Sequence, residues 1–277
     1  MTTEEKVTLS EEKETLLLTV YGKAEESRMP DSLLRDRFAA DAIRRVNYDF
    51  SKLKVRRDDA ISLAIRANLL DGWTREFVAR NPDATVLHLG CGLDSRVFRV
   101  DPPAGVRWFD VDYPEVITLR RRLYPERPGY TLLGTSLTDP QWLDAVPSDR
   151  PAMIVAEGVL PYLREDDVPR LLGRLTAHLP AGEMAFDCYS RLGVRLLRRH
   201  QSIKATGASV HWGLDDLHEL EAQVPKLVFV EEVTSHDPAQ LARMSRAARL
   251  LTRVFMAIPA LKKVGRMVRY RFGSTTP

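Results

Sequence analysis

The sequence predicts an α/β protein with a Rossmann-like core, a mostly parallel sheet covered by helices on both faces and preceded by a helical front. Three observations carry this. From residue 85 onward, short apolar runs alternate with stretches of helical periodicity. The first run, residues 85–89, ends in a glycine turn, Gly90-Cys91-Gly92. The second ends in two acids, Asp110 and Asp112, about twenty residues further on, the spacing at which an acid can take the hydroxyls of a ribose.

The elements follow in order. Residues 10–27 and 32–49 read as helices, with Leu16 and Val20, then Leu34, Phe38, Ile43 and Val46, at helical spacing. The break between them, Ser27-Arg28-Met29-Pro30-Asp31, can act as a hinge or as a plain turn. A third helix, 59–80, stops at the turn pair Asn81-Pro82. Strands are expected at 85–89, 106–111, 130–133, 152–156, 184–189 and 226–233. Helices are expected at 114–122, at 166–178 (closed by Pro180-Ala181-Gly182) and at 240–257, and a last alternating strand at 268–272. In such sheets ligands bind beyond the carboxyl ends of the strands, so chemistry is expected there. The expected division is a helical cap over 1–80 and a core over 81–277, with a substrate-lining insertion around 190–222.

Composition bounds the function. The 277 residues are 44% apolar and 29% charged, which excludes a collagen, a low-complexity chain and a disulfide-stapled miniprotein. Cys91 and Cys188 have no paired-cysteine or Cys/His spacing, so neither a disulfide framework nor a metal site is expected, and a cytoplasmic location fits. The apolar run at 254–261 falls far short of the ~18–20 residues that span a bilayer, so no stable membrane insertion is expected. The net charge is +3, but residues 238–277 hold nine Lys/Arg and no acid, leaving 32 basic against 38 acidic groups in the rest. That basic end lacks the interleaved aromatics of a nucleic-acid surface, and no nucleic-acid partner is expected. A homo-oligomer is left open.

The glycine turn suits close approach of a ligand to the main chain. A dinucleotide fingerprint wants a third glycine or alanine at position 95, where Ser95 stands, so S-adenosylmethionine is favoured over NAD. The longer string Leu89-Gly90-Cys91-Gly92-Leu93-Asp94-Ser95-Arg96-Val97-Phe98-Arg99 resembles the signature of the leucine carboxyl methyltransferase family. Trp108-Phe109-Asp110-Val111-Asp112-Tyr113-Pro114 and Glu157-Gly158-Val159-Leu160-Pro161-Tyr162-Leu163 resemble further motifs of the family in the same order, and Trp212-Gly213-Leu214-Asp215-Asp216 resembles an element of its bacterial polyketide-type branch. The resemblance spans roughly residues 15–275.

It implies a class I methyltransferase fold, with a seven-stranded sheet whose last strand runs antiparallel, and S-adenosylmethionine as cofactor. By the resemblance, Arg66 grips the cofactor carboxylate through two parallel bonds, Gly90 and Gly92 approach its methionine part, Asp112 holds the ribose, and Glu157 lies by the sulfonium or amine. Asp110 is then structural, although the two acids could exchange roles. The family usually carries Asp-Leu after the third strand to meet adenine; here Ser136-Leu137 stands there, which removes a carboxylate acceptor.

Methyl transfer from a sulfonium is an in-line displacement in which the protein holds the acceptor and excludes water. A carboxylate acceptor is already ionised; a phenol would gain from a base. Candidates for contact with the acceptor are Tyr21, Tyr162, Tyr189, His200, His211 and Trp212, with His211 the preferred base. His88, inside a strand, reads as a packed core histidine. The resemblance thus implies O-methylation of a small aromatic or polyketide-like acceptor, with a carboxylate slightly favoured. The alternatives are methylation of a protein C-terminal carboxylate, for which no docking insertion is visible, and a non-catalytic binder of S-adenosylmethionine.

Overall fold

The computed structural model describes residues 5–6, 11–199, 208–234 and 237–273. Seven strands form one sheet: β1 (Thr85–Leu89), β2 (Arg107–Asp112), β3 (Tyr130–Gly134), β4 (Ala152–Ala156), β5 (Gly182–Tyr189), β6 (Leu227–Val233) and β7 (Gly265–Phe272). Their order across the sheet is 3-2-1-4-5-7-6. The first five run parallel, and β7 enters antiparallel between β5 and β6. The strand order therefore reverses at β1 and β4, and this reversal opens a crevice at their carboxyl ends.

The helices are α1 (Glu11–Ser27), α2 (Arg37–Arg45), α3 (Arg57–Arg80), α4 (Arg96–Val100), α5 (Pro114–Leu123), α6 (Asp167–His178), α7 (Arg191–Leu197), α8 (His218–Gln223), α9 (Pro238–Leu241), α10 (Arg246–Ala257) and α11 (Pro259–Lys262). A two-residue ladder, Glu5–Lys6 with Val46–Asn47, ties the chain's start to the end of α2. The helix expected at 32–49 is shorter than its periodicity suggests. The Glu26 carboxylate accepts the backbone N–H of Leu33 at 2.6 Å, Ser27 Oγ accepts that of Asp36 at 2.8 Å, and Asp36 caps α2 through Ala39 N–H. Those side-chain bonds hold residues 28–36 as a loop in place of the first helical turns. The helix expected at 240–257 is likewise divided, because Ser245 caps a fresh start at Arg246.

Strand alternation sorts the core into two layers. Leu87, Leu89, Phe109, Ile154 and Phe186 face one way, onto Leu171, Leu172 and Leu175 of α6. Val86, Trp108, Met153 and Ala185 face the other, onto Leu70, Trp73 and Phe77 of α3. A third cluster packs Leu17, Val20 and Ala24 of α1 against Ile43 of α2 and against Leu93, Val116 and Leu119, fixing the front helices over the carboxyl ends of β1 and β2.

Backbone approach is closest at Gly182, the first residue of β5, where a Cβ would lie 1.9 Å from the carbonyl oxygen of Ala152 on β4. Neither strand can withdraw without breaking its ladder. Gly182→Ala is expected to cost about 1–3 kcal/mol by overpacking, read as a fall in thermal midpoint; an unchanged midpoint would show that this pair of strands yields.

Candidate functional site

The crevice is a cavity of about 350 Å³. Its floor is the carboxyl ends of β1, β2, β4 and β5, and its roof includes Leu16, Leu18, Thr19 and Lys23 of α1 and Leu63 of α3. The glycine turn after β1 forms one wall. Gly90 has φ +56°, and a Cβ there would come within 2.4 Å of Val159 Cγ2, so the sharp turn and the close packing both require glycine. Ser95, where a dinucleotide fold would place the third glycine, donates from Oγ to Asp36 Oδ2 at 2.5 Å and so ties the glycine loop to the cap.

Charge is concentrated around Glu157, at the end of β4. Its buried carboxylate meets Lys23 Nζ at 3.1 Å, Arg66 Nε at 3.1 Å and the Arg96 guanidinium. Burial alone would raise its pKa, but Lys23, Arg66 and Arg96 outweigh that and hold the carboxyl well below its usual range. Lys23 also reaches Asp94 Oδ2 at 2.9 Å, and Arg66 Nη1 reaches Asp187 Oδ2 at 3.1 Å. Asp187 Oδ1 accepts the backbone N–H of Gly158 at 2.6 Å, and burial keeps this carboxyl above its ordinary pKa despite Arg66. Arg99 binds Asp36, Asp71 and Asp94, and Arg96 Nε binds Asp71, so cap, α3 and glycine loop share one ionic lattice.

At the end of β2 the two acids part in environment. Asp110 is fully buried beneath the cavity and accepts from His88 Nδ1 at 3.0 Å, Trp108 Nε1 at 2.8 Å, Tyr130 Oη at 2.5 Å and the Arg120 guanidinium. Burial raises its pKa, but Arg120 and the His88 and Tyr130 bonds bring it down to about 2. Asp112 lines the cavity. Its Oδ2 accepts the Gly92 N–H at 2.7 Å and its Oδ1 the Tyr113 N–H at 2.7 Å. Each oxygen keeps a lone pair for a further donor. Burial raises its pKa, and the two N–H bonds only partly offset this.

Of the residues singled out from sequence, Arg66, Gly90, Gly92, Asp112, Ser136, Leu137, Glu157 and Tyr162 line this one cavity, and so does Tyr189. Three candidates, Tyr21, His211 and Trp212, lie elsewhere. Tyr21 is stacked on Phe50 with ring centroids 5.1 Å apart and belongs to the cap core, because its helix turns Leu18 and Thr19 to the cavity instead. His211 is exposed. The backbone N–H groups of His211 and Trp212 both donate to the Pro161 carbonyl, and Trp212 takes the inward direction into the core, which leaves the His211 side chain outside. His200 falls outside the described residues. His88 is packed as expected, held by Asp110 on one nitrogen and Arg96 on the other.

Three contributors went unremarked at the level of sequence. Asp94 stood in plain view inside the glycine-loop string. Asp187 was signalled by an acid within the otherwise apolar strand Met184-Ala185-Phe186-Asp187-Cys188. Lys23 carried no signal, because helix α1 has no motif that marks it.

Chemically, the lining offers four carboxylates (Asp94, Asp112, Glu157 and Asp187) against two cations, Lys23 and Arg66. That surplus suits a ligand carrying net positive charge. The partly exposed Arg66 guanidinium suits a carboxylate, and the free lone pairs of Asp112 suit a pair of hydroxyls. An adenosyl sulfonium with an amino-acid head fits this donor set. The other end is apolar and aromatic, with Leu63, Val159, Pro161, Tyr162, Leu163 and Leu197.

Comparison with known proteins agrees with this geometry. Residues 17–176 match the leucine carboxyl methyltransferase family. The chain is 44% identical over 259 residues, 94% of its length and 96% of the relative's, to the tetracenomycin polyketide synthesis O-methyltransferase TcmP of Streptomyces glaucescens. It is 36% identical over 271 residues, 90% of this chain and 91% of the relative, to the S-adenosyl-L-methionine-dependent methyltransferase dpfgK of Gibberella zeae. In fold it is similar to a duf574 family protein from Streptomyces avermitilis, with a TM-score of 0.59 at 14% identity over 92% of this chain and 97% of that one. The seven-stranded order with its antiparallel β7 is the class I methyltransferase arrangement. The chain belongs to the leucine carboxyl methyltransferase family and is an S-adenosylmethionine-dependent O-methyltransferase.

Proposed function

We propose that the enzyme methylates a carboxylate oxygen of a small aromatic, polyketide-like acceptor. When bound, S-adenosylmethionine supplies an activated methyl group on a sulfonium. Arg66 would hold the cofactor carboxylate, Asp112 the ribose, Gly90 and Gly92 the close approach to the main chain, and Ser136 and Leu137 the adenine side, with Glu157 balancing positive charge. Pro161, Tyr162, Leu163 and Tyr189 would enclose the acceptor ring and exclude water.

One observation carries the choice of a carboxylate: among the described lining residues no imidazole is free to act as a base, and Asp187, the carboxylate nearest in sequence to Tyr189, is tied to Arg66 and to the main chain. Both nitrogens of His88 are bonded, and both oxygens of Asp187 accept. Burial pushes the Tyr162 and Tyr189 hydroxyls up to about 12, so they remain protonated and serve as donors. Tyrosine donors with no free imidazole beside them suit an acceptor that arrives ionised. The family's name supports a carboxyl acceptor, and the TcmP likeness supports O-methylation of a polyketide-type molecule.

The test is turnover of matched aromatic acids and phenols, with the product treated with mild alkali. A methyl ester releases methanol; a methyl ether does not. Ether products from phenols would transfer the role of base to Asp187 and overturn the carboxylate reading. No turnover in a folded protein that binds S-adenosylhomocysteine would favour a non-catalytic binder.

Asp112→Ala is expected to weaken S-adenosylhomocysteine binding by about tenfold or more, the 1–3 kcal/mol of a lost charged acceptor. The sign of the pH effect follows from its raised pKa. Ribose donors favour the ionised carboxylate, so affinity in the parent should fall as pH drops through that raised value, and the fall should be smaller in Asp112→Ala. Calorimetric titration at pH 7 and in mild acid measures both, and unchanged affinity in the variant would move the ribose elsewhere.

A further inference from the structure

The basic end of the chain is not used by the site described above. Between the antiparallel strands β6 and β7 the chain inserts residues 234–264, which hold α9, α10 and α11. The insertion is anchored at its start. Arg243 pairs with Glu26 at 2.8 Å and Asp31 at 2.9 Å at the end of α1, and Ser245 Oγ donates to Asp58 at 2.7 Å at the start of α3. It is anchored again at its end, where the Val264 carbonyl accepts the Ser190 N–H at 3.2 Å beside α7. The helices so joined, α1, α3 and α7, all contribute to the cavity, α7 through Leu197.

Helix α10 buries none of its residues fully. Leu250, Leu251, Val254 and Ile258, just beyond its end, are 63%, 58%, 49% and 43% exposed, although their spacing is that of one continuous apolar stripe. Ala247 lies on the same stripe, and the exposed Arg246 and Arg253 edge it. The opposite side, with Ala248, Thr252, Phe255 and Met256, is the half-buried one that faces the protein. Arg246, Arg249, Arg253, Lys262 and Lys263 make no ion pair among the described residues. By sequence there is no acid anywhere in 238–277, nor in 188–214, the stretch that holds α7 with its own exposed Leu192 and Leu196.

We propose that α10 docks this enzyme on an anionic phospholipid surface, its Leu250, Leu251, Val254 and Ile258 stripe entering the headgroup region while the flanking arginines and lysines meet lipid phosphates. Charge decides the occupant. An apolar stripe edged only by cations is self-repelling against a second copy, whose matching face is equally basic, and complementary to an anionic sheet. The exposed groups are aliphatic, without the aromatic platforms of a single-strand nucleic-acid surface. At 12 residues α10 is too short to span and suited to lie in the interfacial plane. No described helix is long and apolar enough to cross a membrane, so attachment is peripheral. Lying beside helices that line the cavity, the docked face would put the apolar end of the site near molecules dissolved in the bilayer.

The experiment is co-sedimentation of the full chain with vesicles of phosphatidylcholine alone or mixed equally with phosphatidylglycerol, at low and high salt. The expected result is binding at least about tenfold stronger to the mixed vesicles, weakened by salt. Binding should fall about tenfold or more in Leu250→Ser/Val254→Ser and, separately, in Arg246→Gln/Arg253→Gln. All four positions are exposed, and the thermal shift given by S-adenosylhomocysteine checks that both variants keep the folded site. Equal and weak binding to both vesicle types overturns the proposal, as does binding that survives both double substitutions. It is also overturned if the vesicle-free chain is a dimer that Leu250→Ser/Val254→Ser dissociates, or if the chain binds poly-glutamate through these residues and leaves the vesicles alone.

Discussion

Replacing Glu157 with Ala should lower stability by about 3–5 kcal/mol, the cost of stranding buried charge that has lost its counter-ion. Three cations converge on this carboxylate, and only Asp94, Asp71 and Asp187 would remain to share Lys23, Arg96 and Arg66. For a chain of this size each kcal/mol moves the thermal midpoint by about 2–4 °C, so a fall of roughly 6–20 °C is expected. Glu157→Gln keeps the shape and should fall less. The sign of the pH dependence discriminates further. Glu157 is held well below the usual 4.5 in the folded protein, so its contribution is fully present above that value and is lost as pH falls towards the depressed one. The parent should therefore lose stability on acidification below about pH 5 more steeply than Glu157→Ala, by up to one proton's worth of slope. Chemical denaturation at several pH values measures this. Parallel pH profiles would show that Glu157 carries no charge linkage. If the variant is too unstable to purify, Glu157→Gln serves for the same comparison.

The same carboxylate illustrates what sequence can and cannot disclose. The glycine turn, the acid at the end of β2 and the Glu-Gly string after β4 are local in sequence, and each landed on the cavity wall because strand ends in a parallel sheet converge at one edge. The strands themselves were legible because apolar runs buried on both faces stand out against amphipathic helices. Partnership was not legible. Arg66, Lys23 and Glu157 are separated by 134 positions at the extremes, and nothing local states that their side chains meet. The direction of a side chain was not legible for a related reason. Tyr21 and His211 sit on the right elements, but whether a side chain turns inward depends on its neighbours. Leu18 and Thr19 took the inward face of α1, and Trp212 took that of the segment after β5. The loop at 28–36 escaped because Glu26 and Ser27 bind its backbone, a competition that helical periodicity does not register.

Arg120 is the second position where a large effect is expected, and it lies outside every motif. It is fully buried on α5, its guanidinium paired with Asp110. Its Nη1 donates to the carbonyls of Gly92 at 2.8 Å and Asp94 at 2.9 Å, so one side chain fastens the glycine loop to the acid beneath the cavity. Arg120→Met keeps most of the apolar stem and removes all of these donors. Asp110 would then be a buried carboxylate without its cation, and the loss should again be about 3–5 kcal/mol. Unlike a purely structural lesion elsewhere, this one should also weaken S-adenosylhomocysteine binding, because the Gly92 N–H that positions Asp112 belongs to the loop set free. Asp110→Asn removes the charge, keeps an oxygen for His88 and Trp108, and turns an amide N–H towards the Tyr130 hydroxyl, which can accept it. In the Arg120→Met background it should therefore recover part of the stability, since a neutral amide needs no counter-ion. It should not recover ligand affinity, because the loop carbonyls still lack their donor. Purely additive losses in the double variant would show that Arg120 and Asp110 act independently and that the loop is held by other bonds.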